Sequence, residues 1–427
     1  MHELKFENLD SQYFEDNRIT SLAYYIKKLE KIYLSLEEEN KNRANGSERR
    51  ELYFRGQDNV DYENTCPSLF RNEKYYANES NMINDFIAKY PDLFKDCQNN
   101  VDRLALMQHH QLPTRLLDLT TNALIALYFA VENNNGKDGV VYVFNNFYNE
   151  EFVGKALKNT SSFNLDKSVV LPHYNSENSN VSAKRDSFSD QVEIETSLAR
   201  MKKTDSDGFI IEVLKFYQAL SNHSKSDKEV WEKAYLDYLK ALSKGIDYSG
   251  LSCDAGKLLH KYDNFNNAVP TIRLYHAIER DSGNFDHIIN PVEMYLPKIV
   301  TPRIIDQRIK NQQGLFMLIP IDFDPDPNPD LDPEVKTKKR RNRIQSRINT
   351  LLYTNNTNKA VAFRIPCCKK EKIRKELSNI GISKSFIYPD ATSYAEDIAN
   401  SYSKMSETQE TKVSHIRKLF YRILQLF

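Results

Sequence analysis

The 427-residue sequence lacks a charge imbalance: Lys plus Arg and Asp plus Glu number 59 each. No overall field therefore draws it to nucleic acid or anionic lipid, and any such contact must be local. Cysteine is scarce, and the five present, Cys66, Cys97, Cys253, Cys367 and Cys368, show no paired metal spacing. Adjacent Cys367 and Cys368 are ill placed for an ordinary disulfide, so reduced thiols in a cytosolic protein are the expectation. No window reaches the roughly 18 uninterrupted apolar residues of a membrane span. Residues Met1 to Asp16 carry Glu and Asp among few apolar residues, not the basic-then-apolar order of a secretion signal. These absences predict a cytoplasmic chain with no transmembrane span. Metal chemistry lacks its ligands as well. The acidic stretch Asp322 to Asp332 has neither the central glycine nor the closing glutamate of an EF-hand, and the carboxylate cluster of a two-metal nuclease is missing.

What is present is ample core material, 40% hydrophobic and 11% aromatic residues, which predicts a globular chain. Ile19, Leu22, Ile26, Leu29, Tyr33 and Leu36 recur at helical spacing up to a polar stretch at Asn40 to Glu48. Glu51 to Gln57 alternates like a strand and stops at Gly56, placing Arg55 at a strand's end. Asn81 to Tyr90 and Val101 to His109 read as helices. Asn122 to Val131 is apolar all round and should be a wholly buried helix, with Thr120 and Thr121 as candidate N-caps. Gly139 to Phe144, Gly314 to Ile319 and Lys359 to Ile365 read as buried strands, and Ser385 to Asp390 as a short final one.

Between Asn145 and Asn290 the pattern weakens to a mainly helical insertion whose clearest element is Val230 to Leu242. Asp322 to Asp330 is too rich in proline for regular structure, and the basic run Lys336 to Arg343 is expected to be a solvated loop. Such a run could also touch a nucleic-acid backbone. Lys369 to Asn379 reads as an amphipathic helix. The tail carries Val413, Ile416, Leu419, Phe420, Ile423, Leu424 and Phe427 on one stripe, which should pack on its own domain or meet a partner protein or membrane surface. The organisation predicted is a mixed α/β fold with a single mixed-sheet core. An N-terminal helical segment covers 1–49, the core 50–145 and 291–400, the insertion 146–290 and a C-terminal amphipathic helix 401–427.

Phe54-Arg55-Gly56 alone carries little information. Its weight comes from Gln108-His109-His110-Gln111-Leu112-Pro113-Thr114-Arg115-Leu116-Leu117-Asp118 and the helix Asn122 to Ala130 that follows. Together these resemble the FRG-domain family, whose second motif reads Q-H-H-G-L-P-T-R-L-L-D-W-T before a helix ending A-L-Y-F-A. Later blocks agree in order: Arg303-Ile304 to Gln313-Gly314-Leu315-Phe316 resembles R-I-x-x-Q-x-G-x-F with a longer spacer, and Tyr388-Pro389-Asp390 resembles F-P-D. Gln111 stands where the family has glycine, Leu119 where it has tryptophan and Ala123 where it has proline, so no role for that tryptophan ring carries over. The resemblance implies a bacterial protein of the kind found in mobile elements and defence loci. The order of parts is also similar in layout to ADP-ribosyltransferases.

An arginine at a strand end beside glycine presents a planar charged fork suited to phosphate or carboxylate. Arg55 is therefore a candidate for dinucleotide phosphates, or else it pairs with a carboxylate such as Asp118 and ties two segments together. His109, His110, Thr114, Arg115 and Asp118 place five polar groups among leucines, and each must be satisfied or functional. No metal site is expected of the adjacent histidines, whose side chains diverge. The layout resemblance implies an NAD-using site with Arg55, Gln313 and His110 as catalytic candidates. Its cofactor-binding candidates are Arg55, Gly56, Gln57, His109, Thr114, Arg115, Asp118, Thr120 and Thr121. Gln313 lacks the charge with which a transferase glutamate stabilises an oxocarbenium-like transition state. Two functions stay open: a toxin-like anti-phage effector that uses NAD to modify a nucleic acid or protein, and a non-catalytic module sensing a nucleotide or phage component.

Overall fold

The computed structural model describes residues 14–43, 49–60, 65–133, 136–149, 152, 192–221, 260, 263–280, 289, 294, 296–303, 306–322, 330–355, 358–399 and 402. The expected Val230 to Leu242 helix, the whole C-terminal stripe and Cys253 lie outside them. The fold is mixed α/β, as expected, with helices on both faces of one seven-stranded sheet. The strands are β1 (Phe14–Arg18), β2 (Leu52–Gln57), β3 (Leu116–Thr120), β4 (Gly139–Asn145), β5 (Lys298–Val300), β6 (Gly314–Leu318) and β7 (Ala360–Ile365). Their spatial order is β1-β7-β4-β2-β3-β6-β5. Among the described residues only β1 and β7 pair in parallel, every other neighbouring pair being antiparallel.

Alternation along β2 decides what lies on each face. Tyr53 joins Tyr142, Phe144, Leu117 and Leu119 in one core. Phe54 joins Val141, Val143 and the apolar helix α5 in the other. The helices are α1 (Leu22–Lys41), α2 (Glu73–Ala77), α3 (Glu79–Lys89), α4 (Asn100–His109), α5 (Ala123–Val131), α6 (Lys203–Ser221), α7 (Val269–Glu279), α8 (Gln307–Asn311), α9 (Pro333–Asn349), α10 (Cys367–Asn379) and α11 (Lys384–Ile387). Helices α1, α5 and α10 share the second core, while α6, α7 and α9 contribute to the first.

Helix α5 is apolar all round because it lies between the sheet and α10, and each fully buried Leu, Ile or Val there contributes about 1.5–3 kcal/mol. Two glycines let it approach. A Cβ on Gly56 would stand 1.8 Å from the Ala126 carbonyl oxygen, and one on Gly139 2.0 Å from that of Ala130. The glycine of Phe54-Arg55-Gly56 is thus a seat for helix backbone.

Four expectations about elements are corrected. Residues 336–343 are not a solvated loop. They belong to α9, which starts at Pro333 behind an Asp332 N-cap and buries Arg340, Arg343 and Arg347 beside Ile344 and Ile348. Those arginines read as a polar run, but they recur at helical spacing; Arg340 and Arg343 find acidic partners, and Arg347 donates to the Ile321 carbonyl. Asp322 is buried and accepts from Arg343 and Arg340, and Arg340 also bonds Glu73. Residues 384–387 form the helical turn α11, capped by Ser383, instead of a final strand. The cap of α5 is Asn122, whose side chain accepts from the Leu124 N–H, because Thr120 is still within β3 and Thr121 only follows it. Finally, the N-terminal segment supplies a strand as well as its helix. Phe14-Glu15-Asp16-Asn17-Arg18 is too polar to announce β1, which forms by pairing with β7 at the sheet edge.

In the insertion, 192–200, α6 and α7 are helical. Among the described residues no helix is long and apolar enough to cross a membrane, and no three of His, Cys, Asp and Glu converge as metal ligands would.

Candidate functional site

Strand β3 brings the three sequence blocks together. Its Thr120 lies opposite Phe54 of β2 on one side and opposite Gly314 of β6 on the other. Beyond the Phe54–Thr120 pair the two strands diverge, leaving that single register pair between them. Arg55 crosses the gap: its Nη1 donates to the Asp118 carbonyl at 2.7 Å, standing where the next ladder hydrogen bonds would be. Its side chain emerges on the face of Tyr53 and Gln57, opposite Tyr142 of β4, and is half-buried.

The alternative of an Arg55–Asp118 ion pair is not what forms. Asp118 alternates with Leu117 and Leu119, so its carboxylate emerges on the other face of the sheet, exposed. There it accepts from Gln108 Nε2 at 2.7 Å, and Gln108 in turn accepts from the buried Thr114 hydroxyl. The Asp118 carboxylate and the Thr114 hydroxyl thus hold the α4 end of the motif onto β3, while the Asp118 main chain holds Arg55.

The Arg55 Nε is buried without a hydrogen-bond partner. Burial holds the guanidinium below its ordinary pKa; Asp118 pushes it up and the nearby Arg71 pushes it down. Arg71 donates its Nε to the Cys66 carbonyl at 3.0 Å. Among the described residues neither arginine has a hydrogen-bonded carboxylate, so two guanidinium groups share one region with a buried N–H unspent. Such a group costs free energy unless a partner arrives, and an anion supplies one. Arg71 was not among the sequence candidates. A lone arginine after Ser68-Leu69-Phe70 matches no motif, and only the turn Ser68–Arg71 packed against α9 brings it to Arg55.

The other candidates distribute as follows. Gly56 seats α5 and Gln57 is buried on the Arg55 face. Thr120 donates its hydroxyl to the Gln312 carbonyl at 2.7 Å, and the Thr121 N–H donates to the Gln313 carbonyl at 3.2 Å. The Thr121 hydroxyl is 3.5 Å from Gln313 Oε1, and both residues are exposed. Thr121 and Gln313 therefore adjoin each other at the β3–β6 end of the site. His109 Nδ1 is 2.9 Å from Asp306 Oδ2, and His110 is an exposed helix C-cap with its ring against that of His109. Apart from His109, His110 has no contact with the other candidates among the described residues.

Arg115 is withdrawn from the cofactor-binding set. It is fully buried, its Nε donates to Glu79 Oε1 at 2.8 Å, its Nη2 reaches Glu79 Oε2 and its Nη1 reaches Glu195 Oε2 at 3.2 Å. Although it borders a small cleft lined by Tyr76, Glu79, Ser80 and Lys203, all three guanidinium nitrogens are committed to carboxylates. Burial alone would lower its pKa, but Glu79 and Glu195 reverse that and hold it charged. Glu195 belongs to the insertion, so this triad is where the insertion locks onto the core.

The closing motif builds a separate cluster. Arg308 lies over the Tyr388 ring at 4.8 Å, and Phe129 of α5 meets the same ring edge-on at 6.5 Å. Burial raises the Glu132 carboxyl above its usual range, against a hydrogen bond from Tyr388.

Sheet order, the glycine-seated helix and the strand-end arginine define a mixed α/β domain whose centre is β4-β2-β3. Residues 50–139, which run from the edge of β2 through β3 and α5 to the start of β4, match the FRG domain family. The chain therefore carries an FRG domain, and that domain is the centre of the sheet. No curated protein and no solved structure matches the chain.

Proposed function

We propose that this FRG-domain protein is a nucleotide-using effector, of the kind deployed against phage, that binds NAD through its phosphates at Arg55 and Arg71. One observation carries the reading: a half-buried guanidinium has a buried, unpartnered Nε and a second arginine beside it, with no carboxylate bonded to either among the described residues. Two guanidinium forks, one of which feels the charge of the other, suit a pyrophosphate, which offers several acceptor oxygens and two negative charges. In the transferase reading the bond between the ribose and nicotinamide breaks, nicotinamide leaves, and the ADP-ribosyl group passes to a nucleophile on a nucleic acid or protein. Thr121 and Gln313 then contact the ribose end, and Gln313 contributes hydrogen bonds rather than charge.

The test is calorimetric titration with NAD. Wild type gives saturable heat in the millimolar range or below. Arg71→Ala and Arg55→Lys, which remove a fork while leaving the fold, each weaken binding about tenfold or more, in line with about 1.5–3 kcal/mol for a hydrogen bond to a charged group. No heat from folded wild-type protein removes the NAD claim.

The second reading, a non-catalytic sensor of a nucleotide or phage component, is favoured by the neutral Gln313, which is exposed and already beside Thr121. Nicotinamide release separates the two. An effector releases it in step with acceptor modification, whereas a sensor binds NAD and releases none.

A further inference from the structure

We infer that His109, held in one tautomer by Asp306, is the general base that takes the proton from the acceptor, which is therefore a nucleophile bearing an O–H or N–H and not a carboxylate. As a role in the transfer proposed above, this rests on that reading. Asp306 stands at the N-cap of α8, yet its side chain caps nothing. A capping Asp ordinarily contributes about 1 kcal/mol by accepting from its own helix, and here that contribution is forgone. The carboxylate turns instead to His109. Its Oδ2 is buried 2.9 Å from Nδ1 and has no other hydrogen-bond partner among the described residues. A second contact sets the register: the Arg303 N–H donates to the buried Asp102 carboxylate at 2.9 Å, and Asp102 and His109 share one face of α4 at a spacing of two turns.

A carboxylate oxygen only accepts, so the neutral ring carries its proton on Nδ1 and offers a lone pair at Nε2. Asp306 and the His110 ring are the partners of His109 among the described residues, which leaves Nε2 unbonded on a half-buried side chain. The neighbourhood is open. Asp118 is exposed although β3 lies between β2 and β6 and its same-face neighbours Leu116, Thr120 and Phe316 are buried. An exposed carboxylate in the middle of an inner strand marks an opening in the helical layer, and Gln108, which donates to it, directly precedes His109. Asp118 also joins the two sides of the sheet, its carbonyl holding Arg55 and its carboxylate meeting Gln108. Helix α8 supplies a further link. From Asp306 it runs to the Gln312 carbonyl that the Thr120 hydroxyl holds, about 9 Å of helix. The His109–Asp306 pair and the Thr121–Gln313 pair thus stand at the two ends of one short helix, a span that a ribose and an acceptor group fill. In the step, a bond forms from the acceptor oxygen or nitrogen to ribose C1′. The bond from C1′ to nicotinamide breaks with its electron pair on nicotinamide, and the acceptor's proton passes to His109 Nε2. A carboxylate acceptor would bring no proton and would meet Asp118 and Asp306 as like charges.

The experiment measures nicotinamide release from NAD by the full-length protein, with water as acceptor and then with sodium azide added. Water has a proton to lose and azide has none, so only water needs the base. His109→Ala should lose about a hundredfold or more in kcat with water, while its KM, NAD heat and melting temperature stay at wild-type values. Azide should return about tenfold or more of that loss. Asp306→Asn, whose amide donates to the ring in place of accepting from it, should lower kcat by at least about tenfold with KM unchanged. Turnover is not the only readout. In histidine-labelled protein without NAD, 15N NMR at pH 8 should place the His109 proton on Nδ1 in wild type and on Nε2 in Asp306→Asn, the His109 signal being the one that His109→Ala lacks. The inference is overturned if His109→Ala keeps the wild-type kcat, if its loss is one of NAD heat or is not relieved by azide, or if the wild-type proton is on Nε2. Wild type that binds NAD but releases no nicotinamide to water or azide sinks the transferase reading and this role with it, whereas release that survives His109→Ala sinks this role alone.

Discussion

Arg55 reaches Asp118 through the main chain: Nη1 donates to the carbonyl oxygen at 2.7 Å, while the Asp118 carboxylate is on the opposite face with Gln108. The two side chains are therefore separable by mutation. Arg55→Ala removes the group that fills the gap between β2 and β3 and leaves a carbonyl short of its partner, a loss of about 1–3 kcal/mol. Asp118→Ala keeps the Arg55 contact and removes one exposed hydrogen bond from Gln108, so the loss should be about 0.5–1 kcal/mol. Urea denaturation of the two variants checks this, and an equal loss from both would show that the carboxylate matters to Arg55 after all.

Gly56 and Gly314 both occupy motif positions, yet only one is fixed by packing. Gly56→Ala would place a Cβ 1.8 Å from the Ala126 carbonyl oxygen, and α5 must lift off the sheet to admit it. The expected cost is about 3 kcal/mol or more, at or beyond the top of the overpacking range. At Gly314 the nearest atom to such a Cβ is the Ile309 oxygen at 3.5 Å, ordinary contact, so Gly314→Ala should stay within about 1 kcal/mol of wild type. Soluble yield and denaturation midpoints of the pair decide it.

Apolar periodicity made α5, β2, β4, β6 and β7 legible in the sequence, because their buried faces are built from Val, Ile, Leu, Phe and Ala. It failed where the buried face is charged or the strand is polar. Helix α9 buries arginine, which no hydropathy pattern marks as interior, and β1 exists through its pairing with β7. Of the candidate site, Arg55 and the 108–118 block were legible because they sit in a long motif. The side on which Asp118 emerges was not, since nothing in Leu116 to Thr120 sets it apart as a strand within the motif, and Arg71 was hidden because its role depends on the turn that carries it towards Arg55. Arg115, within the same motif, turned out to serve the insertion through Glu79 and Glu195.

The departure at Gln111 also becomes physical. Helix α4 ends in a Schellman arrangement, with the Leu112 N–H donating to the Met107 carbonyl at 3.0 Å and the Gln111 N–H to the Gln108 carbonyl at 2.9 Å. Gln111 has φ +67°, the left-handed conformation that glycine adopts without a Cβ penalty. Relief of about 1–2 kcal/mol, less about 0.4–1 for the freer unfolded chain, predicts that Gln111→Gly gains about 0.5 kcal/mol. Gln111→Val should lose about 1 kcal/mol or more, as a branched side chain fits that region worst. Thermal melts of the two variants should shift in opposite directions.

The buried Asp322 contributes to the acid limb of stability. Burial alone would raise its pKa, but Arg343, then Arg347 and Arg340, more than reverse this, so the folded value is below the ordinary carboxylate one. Its contribution is therefore present above the unfolded value of about 3.9 and lost as pH falls through the lower folded value. Glu195 acts in the opposite sense: burial raises it in spite of Arg115, so its contribution is present below about 4.3 and declines as pH rises through its higher folded value. Asp322→Asn should cost about 3–5 kcal/mol near neutrality, because the buried Arg343 loses this counterion while Arg340 keeps only Glu73, and should flatten the dependence of stability on pH below about 4. Glu195→Gln should instead flatten the decline above that range. Denaturation midpoints of wild type and both variants from pH 3 to 8 test this; an acid limb unchanged in Asp322→Asn would mean that another carboxylate controls it.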